Sequence, residues 1–175
     1  MKTTLSLALL ALTIAGSSFI YHPSDLESKI GFRIKNFGVT VNGSFNGLVG
    51  TVLFDPNTPE ECSVSLSVAA NTIDTGIALR NNHLKKEEYL DVARYSKLLF
   101  VSKRIAKQGG KWEATGTLTI KNIKKEISFP FEVSRLNDGF MFKGEFEIDR
   151  RDFKVGGNSF SLADDVVVHF ELLVK

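Results

Sequence analysis

A chain of 175 residues, 43% hydrophobic and 24% charged, has the composition of one ordinary globular domain rather than of a disordered or fibrous polymer. Charges of both signs are spread along it and the formal net charge is only +2, so a basic groove for a phosphate backbone is excluded and no nucleic-acid partner is expected. Its single cysteine, Cys62, cannot form an internal disulfide, so the fold must rest on its apolar core.

The first stretch stands apart from that domain. Lys2 precedes an uncharged apolar run from Leu5 to Ala15, and Ala15-Gly16-Ser17 offers small residues where a signal peptidase cuts. The run is too short to span a bilayer comfortably, so residues 1–17 read as a cleaved secretory signal and residues 18–175 as the exported domain. No cysteine lies at the junction to carry a lipid anchor. A domain of this size buries roughly 70% of the surface of its unfolded chain, enough to be stable without staples.

From Ile30 onward the residues alternate with period two, in segments separated by turn residues. Ile30, Phe32 and Ile34 face one way. Asn42-Gly43 and Asn46-Gly47 read as turns, after which Leu48, Gly50, Val52 and Phe54 form the next face. Val64, Leu66, Val68 and Ala70 alternate with serines, completing a third strand.

Asn71 to Phe100 breaks the alternation. Ile73, Ile77, Leu84, Tyr89 and Leu90 recur at helix-like offsets, and Lys85, Lys86, Glu87 and Glu88 suit the wet side of short helical turns. An irregular segment of this length inside an all-β chain serves as a lid, plug or binding loop, and we expect it to close one end of a barrel.

Strands resume at Leu98, Phe100 and Ser102, followed by the Gly109-Gly110 turn and a long face of Trp112, Ala114, Gly116, Leu118 and Ile120. Ile127, Phe129, Phe131 and Val133 follow, with Pro130 among them pointing to an edge, a bulge or a break in the ladder. The Asn137-Asp138-Gly139 hairpin signal leads to Phe140, Phe142, Gly144, Phe146 and Ile148, and Val166, Val168, Phe170, Leu172 and Val174 end the chain. Eight strands with one apolar face each rule against a parallel sheet. A two-sheet sandwich stays open, but long strands in meander order favour an all-β, antiparallel, up-and-down barrel of eight strands with a short helical lid.

Of 14 phenylalanines, nine (Phe32, Phe54, Phe100, Phe129, Phe131, Phe140, Phe142, Phe146 and Phe170) fall on these apolar faces, with Trp112 on the same register. Flat, stiff rings with no polar atom suit the wall of a cavity for an extended apolar chain, although aromatic residues also simply fill barrels. Gly116 and Gly144 lie on the inward register too; the glycine at 144 either bends the strand or leaves room for a ligand.

Signals for chemistry are poor. His22, His83 and His169 lack partners at metal-ligand spacing, and no nucleophile elbow, phosphate loop or dinucleotide fingerprint occurs, so neither metal nor cofactor is expected. Asp74, Arg80, His83, Glu87 and Glu88 form a candidate polar cluster at the lid, in which His83 would be the base of any lipid-modifying activity. Such clusters more often satisfy the backbone of an irregular segment. Asp149, Arg150, Arg151 and Asp152 read as a charged turn.

These residues resemble the YceI-like family. The resemblance is carried by Ile30-Gly-Phe-Arg-Ile-Lys-Asn-Phe-Gly38, Gly43-Ser-Phe-Asn-Gly-Leu48, Ile73-Asp-Thr-Gly76, Arg80-Asn-Asn-His-Leu84, Tyr89-Leu-Asp91, Phe100-Val-Ser102, Gly116-Thr-Leu-Thr-Ile120 with Lys124-Lys125, and Ile148-Asp-Arg150 before Asp152-Phe153. It implies a lipocalin-like barrel, a helical segment over one end, export to the bacterial periplasm and an elongated apolar tunnel for polyisoprenoid chains. Two positions depart from the pattern: Asn81 stands where the family usually has Asp, and Ser96 where Pro commonly follows the Tyr. The first removes a carboxylate from the lid cluster; the second is expected to loosen entry to the next strand.

The reading that follows is a non-enzymatic carrier or store of a long-tailed amphiphile, a polyisoprenoid lipid or an isoprenoid quinone, in transient contact with a membrane. One isoprene unit leaving water gains about 4 kcal/mol, but a membrane offers the same gain, so selectivity must come from wall shape and a polar head contact at the mouth. Arg80 and His83 are the candidates for that contact. A lipid-modifying enzyme and a filled barrel acting as an interaction module are the competing readings.

Overall fold

The computed structural model describes residues 19–175. The expected secretory signal at residues 1–17 lies outside the described residues. Ten strands form one antiparallel sheet: β1 (Ile20–Tyr21), β2 (Lys29–Asn36), β3 (Val39–Phe45), β4 (Val49–Leu53), β5 (Ser63–Ala69), β6 (Lys97–Gln108), β7 (Lys111–Ile120), β8 (Ile123–Leu136), β9 (Gly139–Asp149) and β10 (Leu162–Val174). The helix α1 (Ala78–Leu84) lies in the excursion between β5 and β6. Strands β4 to β10 pair in sequence order, β10 then takes β2 as its other neighbour, and β2 takes β3.

The antiparallel barrel read from the alternation is therefore present, as a curled sheet forming a half-barrel, but with ten strands rather than eight. The largest addition is β3. Asn42-Gly43, which by its residue types reads as a turn, lies mid-strand opposite Arg33 and Phe32, while the turn is at Phe37-Gly38. Turn-forming dipeptides mark only a local preference, and seven ladder pairs to β2 override it here. Gly43 has a specific reason to stand in a strand: a Cβ there would lie 2.3 Å from the Phe32 ring.

Strand β3 does not pair with β4, so the sheet has two edges that other segments stitch together. At one end the N-terminal segment runs between β4 and the end of β10: Ile20 and Tyr21 pair with Leu53 and Val52, then His22 exchanges hydrogen bonds with Lys175 (2.8 and 3.0 Å) and the Ser24 amide donates to Leu173. At the other, Ser44 bridges Asp74 and the Ala69 amide donates to the Asn46 carbonyl at 3.0 Å. Asp25 ties down the connection by accepting from the amides of Gly47 and Leu48.

Pro130 breaks a ladder, as its lack of an N–H requires. It still faces Glu113 of β7, but the β8–β9 ladder runs only from Leu136↔Gly139 to Phe131↔Gly144 and stops there. Beyond it, the Phe129 and Phe146 rings stack with centroids 4.6 Å apart and carry the contact between the two strands.

Candidate functional site: an apolar cavity under a lid

Inward residues of the sheet do not pack uniformly. At the end away from the lid, Phe54 meets Trp112, Phe140 and Phe142 with ring centroids 4.9–5.0 Å apart, over the fully buried Val52 and Val174. Under the lid a second cluster gathers Ile73 and Leu90 from the excursion with Leu118, Ile120 and Phe153. Between these two clusters the wall encloses a cavity of about 300 Å³. That volume is at the lower end of the range for small-molecule sites.

Seven of the ten aromatic residues expected to form a tunnel line this cavity: Phe32, Phe100, Phe129, Phe131, Phe142, Phe146 and Phe170. Phe54, Trp112 and Phe140 are placed elsewhere, in the packed plug at the far end. The barrel is thus filled at its far end and hollow between that plug and the residues packed under the lid. Phe45, Tyr89 and Phe153 line the cavity too, although none is among the residues expected to form its wall. Phe45 was legible once Val41, Gly43 and Phe45 are seen to alternate as a strand.

Inward glycines shape this wall. A Cβ at Gly144 would lie 2.7 Å from the Phe170 ring, and one at Gly116 2.6 Å from the Phe100 ring. Phe170 stands directly opposite Gly144 and its ring lies over the bare backbone. The β9–β10 register runs through Gly144 without a shift. No bulge therefore lies at Gly144, although the β8–β9 ladder ends there, and the space is taken by a neighbouring ring, which the glycine lets lie against the sheet.

The lid cluster divides into two groups. In the first, Asn81 Oδ1 accepts from the Thr75 amide (2.8 Å) and hydroxyl (2.6 Å) while Asn81 Nδ2 donates to Asp74 at 2.8 Å. Arg80 donates to the Thr75 hydroxyl at 2.8 Å and its carbonyl at 2.6 Å. The Gly76 amide and Asn81 side chain, both donating to Asp74, hold its carboxyl below the ordinary value of 3.8. Arg80 and Thr75, with Asn36, Ser67 and Arg150, are the polar side chains of a wall whose exposed surface is almost entirely carbon. In the second group the His83 ring meets Tyr89 in a tilted contact, centroids 4.8 Å apart, on the exposed side of the lid, and Glu87 pairs with Arg94. Of the two candidates for a head contact, the structure brings Arg80 to the cavity and leaves His83 outside its wall.

Asn81 suits this network because its amide accepts from Thr75 and donates to Asp74 at once. Ser96 keeps its backbone role at the strand entry, its carbonyl accepting from Ala70 at 2.9 Å. Arg150 corrects the charged-turn reading. It is buried, and its guanidinium donates to the carbonyls of Val155, Gly156, Gly157, Leu162 and Ala163 and to Asp164, fixing the loop beside the cavity.

With this geometry in view, comparison with known proteins finds that the YceI-like domain matches residues 21–174. A UPF0312 protein of Pectobacterium atrosepticum is 30% identical over 168 residues, covering 88% of this chain and 86% of its own. Protein YceI of Salmonella arizonae is 29% identical over 133 residues, 72% of this chain and 70% of that one. Among solved structures, BcnA of Burkholderia cenocepacia superposes with a TM-score of 0.83 at 28% identity, over 87% of this chain and 99% of its own. A polyisoprenoid-binding domain from Saccharophagus degradans shares the fold, with a TM-score of 0.72 at 20% identity over 89% and 97% of the two chains.

Proposed function

The chain belongs to the YceI-like family, and from that premise we propose that it binds and carries a long-tailed amphiphile, a polyisoprenoid lipid or an isoprenoid quinone, in the cavity under its lid. The observation that carries this reading is the carbon-lined cavity of about 300 Å³ in the middle of the barrel. At about 24 cal/mol per Å³, leaving so much apolar space unfilled would forfeit on the order of 7 kcal/mol, comparable to the whole stability of many domains. An apolar tail recovers that loss. The description of the Saccharophagus degradans domain as polyisoprenoid-binding supports the same class of ligand on the same fold.

Tail burial does not select one lipid over another, because the membrane already offers a dry environment. Selection falls to the ring-shaped wall and to a polar contact at its edge, for which Arg80 is the residue. Export through the leader at residues 1–17 would place the protein in the periplasm, between two membranes that hold such lipids. The work of this site is to bind and release, with no bond made or broken.

Mass spectrometry of an organic extract of the purified protein tests the proposal. A stoichiometric isoprenoid lipid is the expected result, and Leu98→Trp, which puts a larger side chain into the cavity wall, should lower its occupancy at least tenfold while the protein stays folded. An extract without lipid, together with no gain in melting temperature on adding a polyprenol or an isoprenoid quinone, would refute it.

A further inference from the structure

Resting on the lipid-binding reading above, we propose that the lid end of the barrel is a docking surface for an anionic lipid bilayer, with Phe37, Val39 and Phe160 as its inserting side chains. Asn36 pairs with Val39 across the β2–β3 turn and with Leu162 of β10, and the Phe37 amide donates to the Ser161 carbonyl at 2.8 Å. The hairpin tip and the loop before β10 therefore stand side by side. Phe37 is 76% exposed, Val39 67%, and Phe160 is fully exposed; Leu79 of α1 adds a side chain 82% exposed at the same end. A lone exposed apolar residue needs no explanation, but these gather where the cavity wall runs out to Asn36, Leu162 and Arg80, their neighbours in the chain.

Phe37 is also the wrong residue for its own turn. It has φ 49° and Gly38 has φ 76°, the two left-handed positions of a two-residue hairpin loop, for which Asn-Gly is the favoured pair. Phenylalanine there crowds its Cβ against the backbone and puts its ring in water. Neither folding nor solubility gains from it. A local choice that contradicts the fold's own preference marks a position held for another purpose.

Charge decides the kind of surface it fits. Glu87, Asp152 and Asp164 are engaged by Arg94, Lys125 and the Arg150–Arg151 pair. Lys35, Lys86, Lys97, Lys124 and Lys154 are exposed at this end and take part in no ion pair among the described residues, against the exposed acids Asp74, Glu88, Glu147 and Asp165, of which Asp74 is already held by the Gly76 amide and Asn81. Apolar side chains flanked by free lysines are the composition of a surface that settles into anionic headgroups. Docked in this way, the mouth would open towards the phase that holds the ligand.

The test is co-sedimentation of the purified protein with vesicles of phosphatidylcholine alone or mixed with phosphatidylglycerol, using wild type, Phe37→Asn and Phe160→Ser. The wild type should bind the mixed vesicles, less so as salt is raised, and each variant should lose about tenfold in partition. Phe37→Asn should at the same time melt about 2–4 °C higher, showing that the loss is not a folding defect. No association of the wild type, or equal association of all three proteins, would overturn the proposal. So would a concentration-dependent dimer in sedimentation velocity that Phe37→Asn abolishes, since the patch would then be a protein interface. Vesicle binding by a protein whose extract holds no lipid would sink the cavity reading and leave the docking surface standing.

Discussion

At the scale of single residues, Arg150 shows how much structure one side chain can hold. It is 3% exposed and all three of its guanidinium nitrogens are committed to the chain between Val155 and Asp164. Lysine cannot reproduce that fork with one point charge. Arg150→Lys is therefore expected to destabilise by about 2–3 kcal/mol through orphaned buried carbonyls, measured by urea unfolding. Asp74 carries the pH dependence of the lid. Its folded value lies below the unfolded one, so its contribution is present above the ordinary value of 3.8 and is lost as pH falls through the depressed folded value. An NMR titration should find that midpoint below 3.8. Asn81→Asp replaces the donor with a second carboxylate, so the pair's upper midpoint should rise above 3.8 and the lid should instead loosen as pH increases through it.

Single elements show the same interplay between a residue and its neighbours. In β9 the missing side chain at Gly144 is complementary to the Phe170 ring of β10, and a Cβ there would also lie 2.9 Å from the Pro130 carbonyl. Gly144→Ala should cost about 1–3 kcal/mol by overpacking, and Phe170→Leu in the same chain should return part of it, a coupling that a double-mutant cycle reads directly. The lid between β5 and β6 is held by turns, the two buried anchors Ile73 and Leu90, and the Asn81 network rather than by a ladder. Hydrogen exchange should therefore be faster across residues 71–95 than across Trp112–Ile120 of β7, which is paired on both sides. Equal protection of the two would mean that the lid opens only with the whole barrel.

For the whole molecule, the division between a filled end and a hollow middle ties stability to occupancy. A ligand present at a hundredfold excess over its Kd adds about 2.7 kcal/mol, which in a domain of this size moves the melting temperature by about 5–10 °C. Organic extraction followed by calorimetry should show a drop of that order, reversed by adding back the extracted lipid. A melting temperature indifferent to extraction would mean that the cavity contributes nothing to binding.

Alternation along β5 to β10, the Gly109-Gly110 and Asn137-Asp138-Gly139 turns, the ladder break at Pro130 and the excursion that opens at Asn71, though it ends before Lys97 rather than at Phe100, were all readable in one dimension. Each depends on neighbours in the chain: a period, a missing N–H, a loss of pattern. The strand identity of Asn42-Gly43, the plug role of Phe54, Trp112 and Phe140, the burial of Arg150 and the separation of His83 from Arg80 were not. Inward register says only that a side chain points to the interior; whether it meets a ring or a cavity depends on the strand facing it and on its height along the barrel. Closure likewise was decided by partners far away in sequence, Lys175 for His22 and Asp74 for Ser44. The pleat is a property of each strand alone, so the sequence determined the wall; packing is a property of pairs brought together by folding, so only the tertiary structure decided where that wall is filled and where it is hollow.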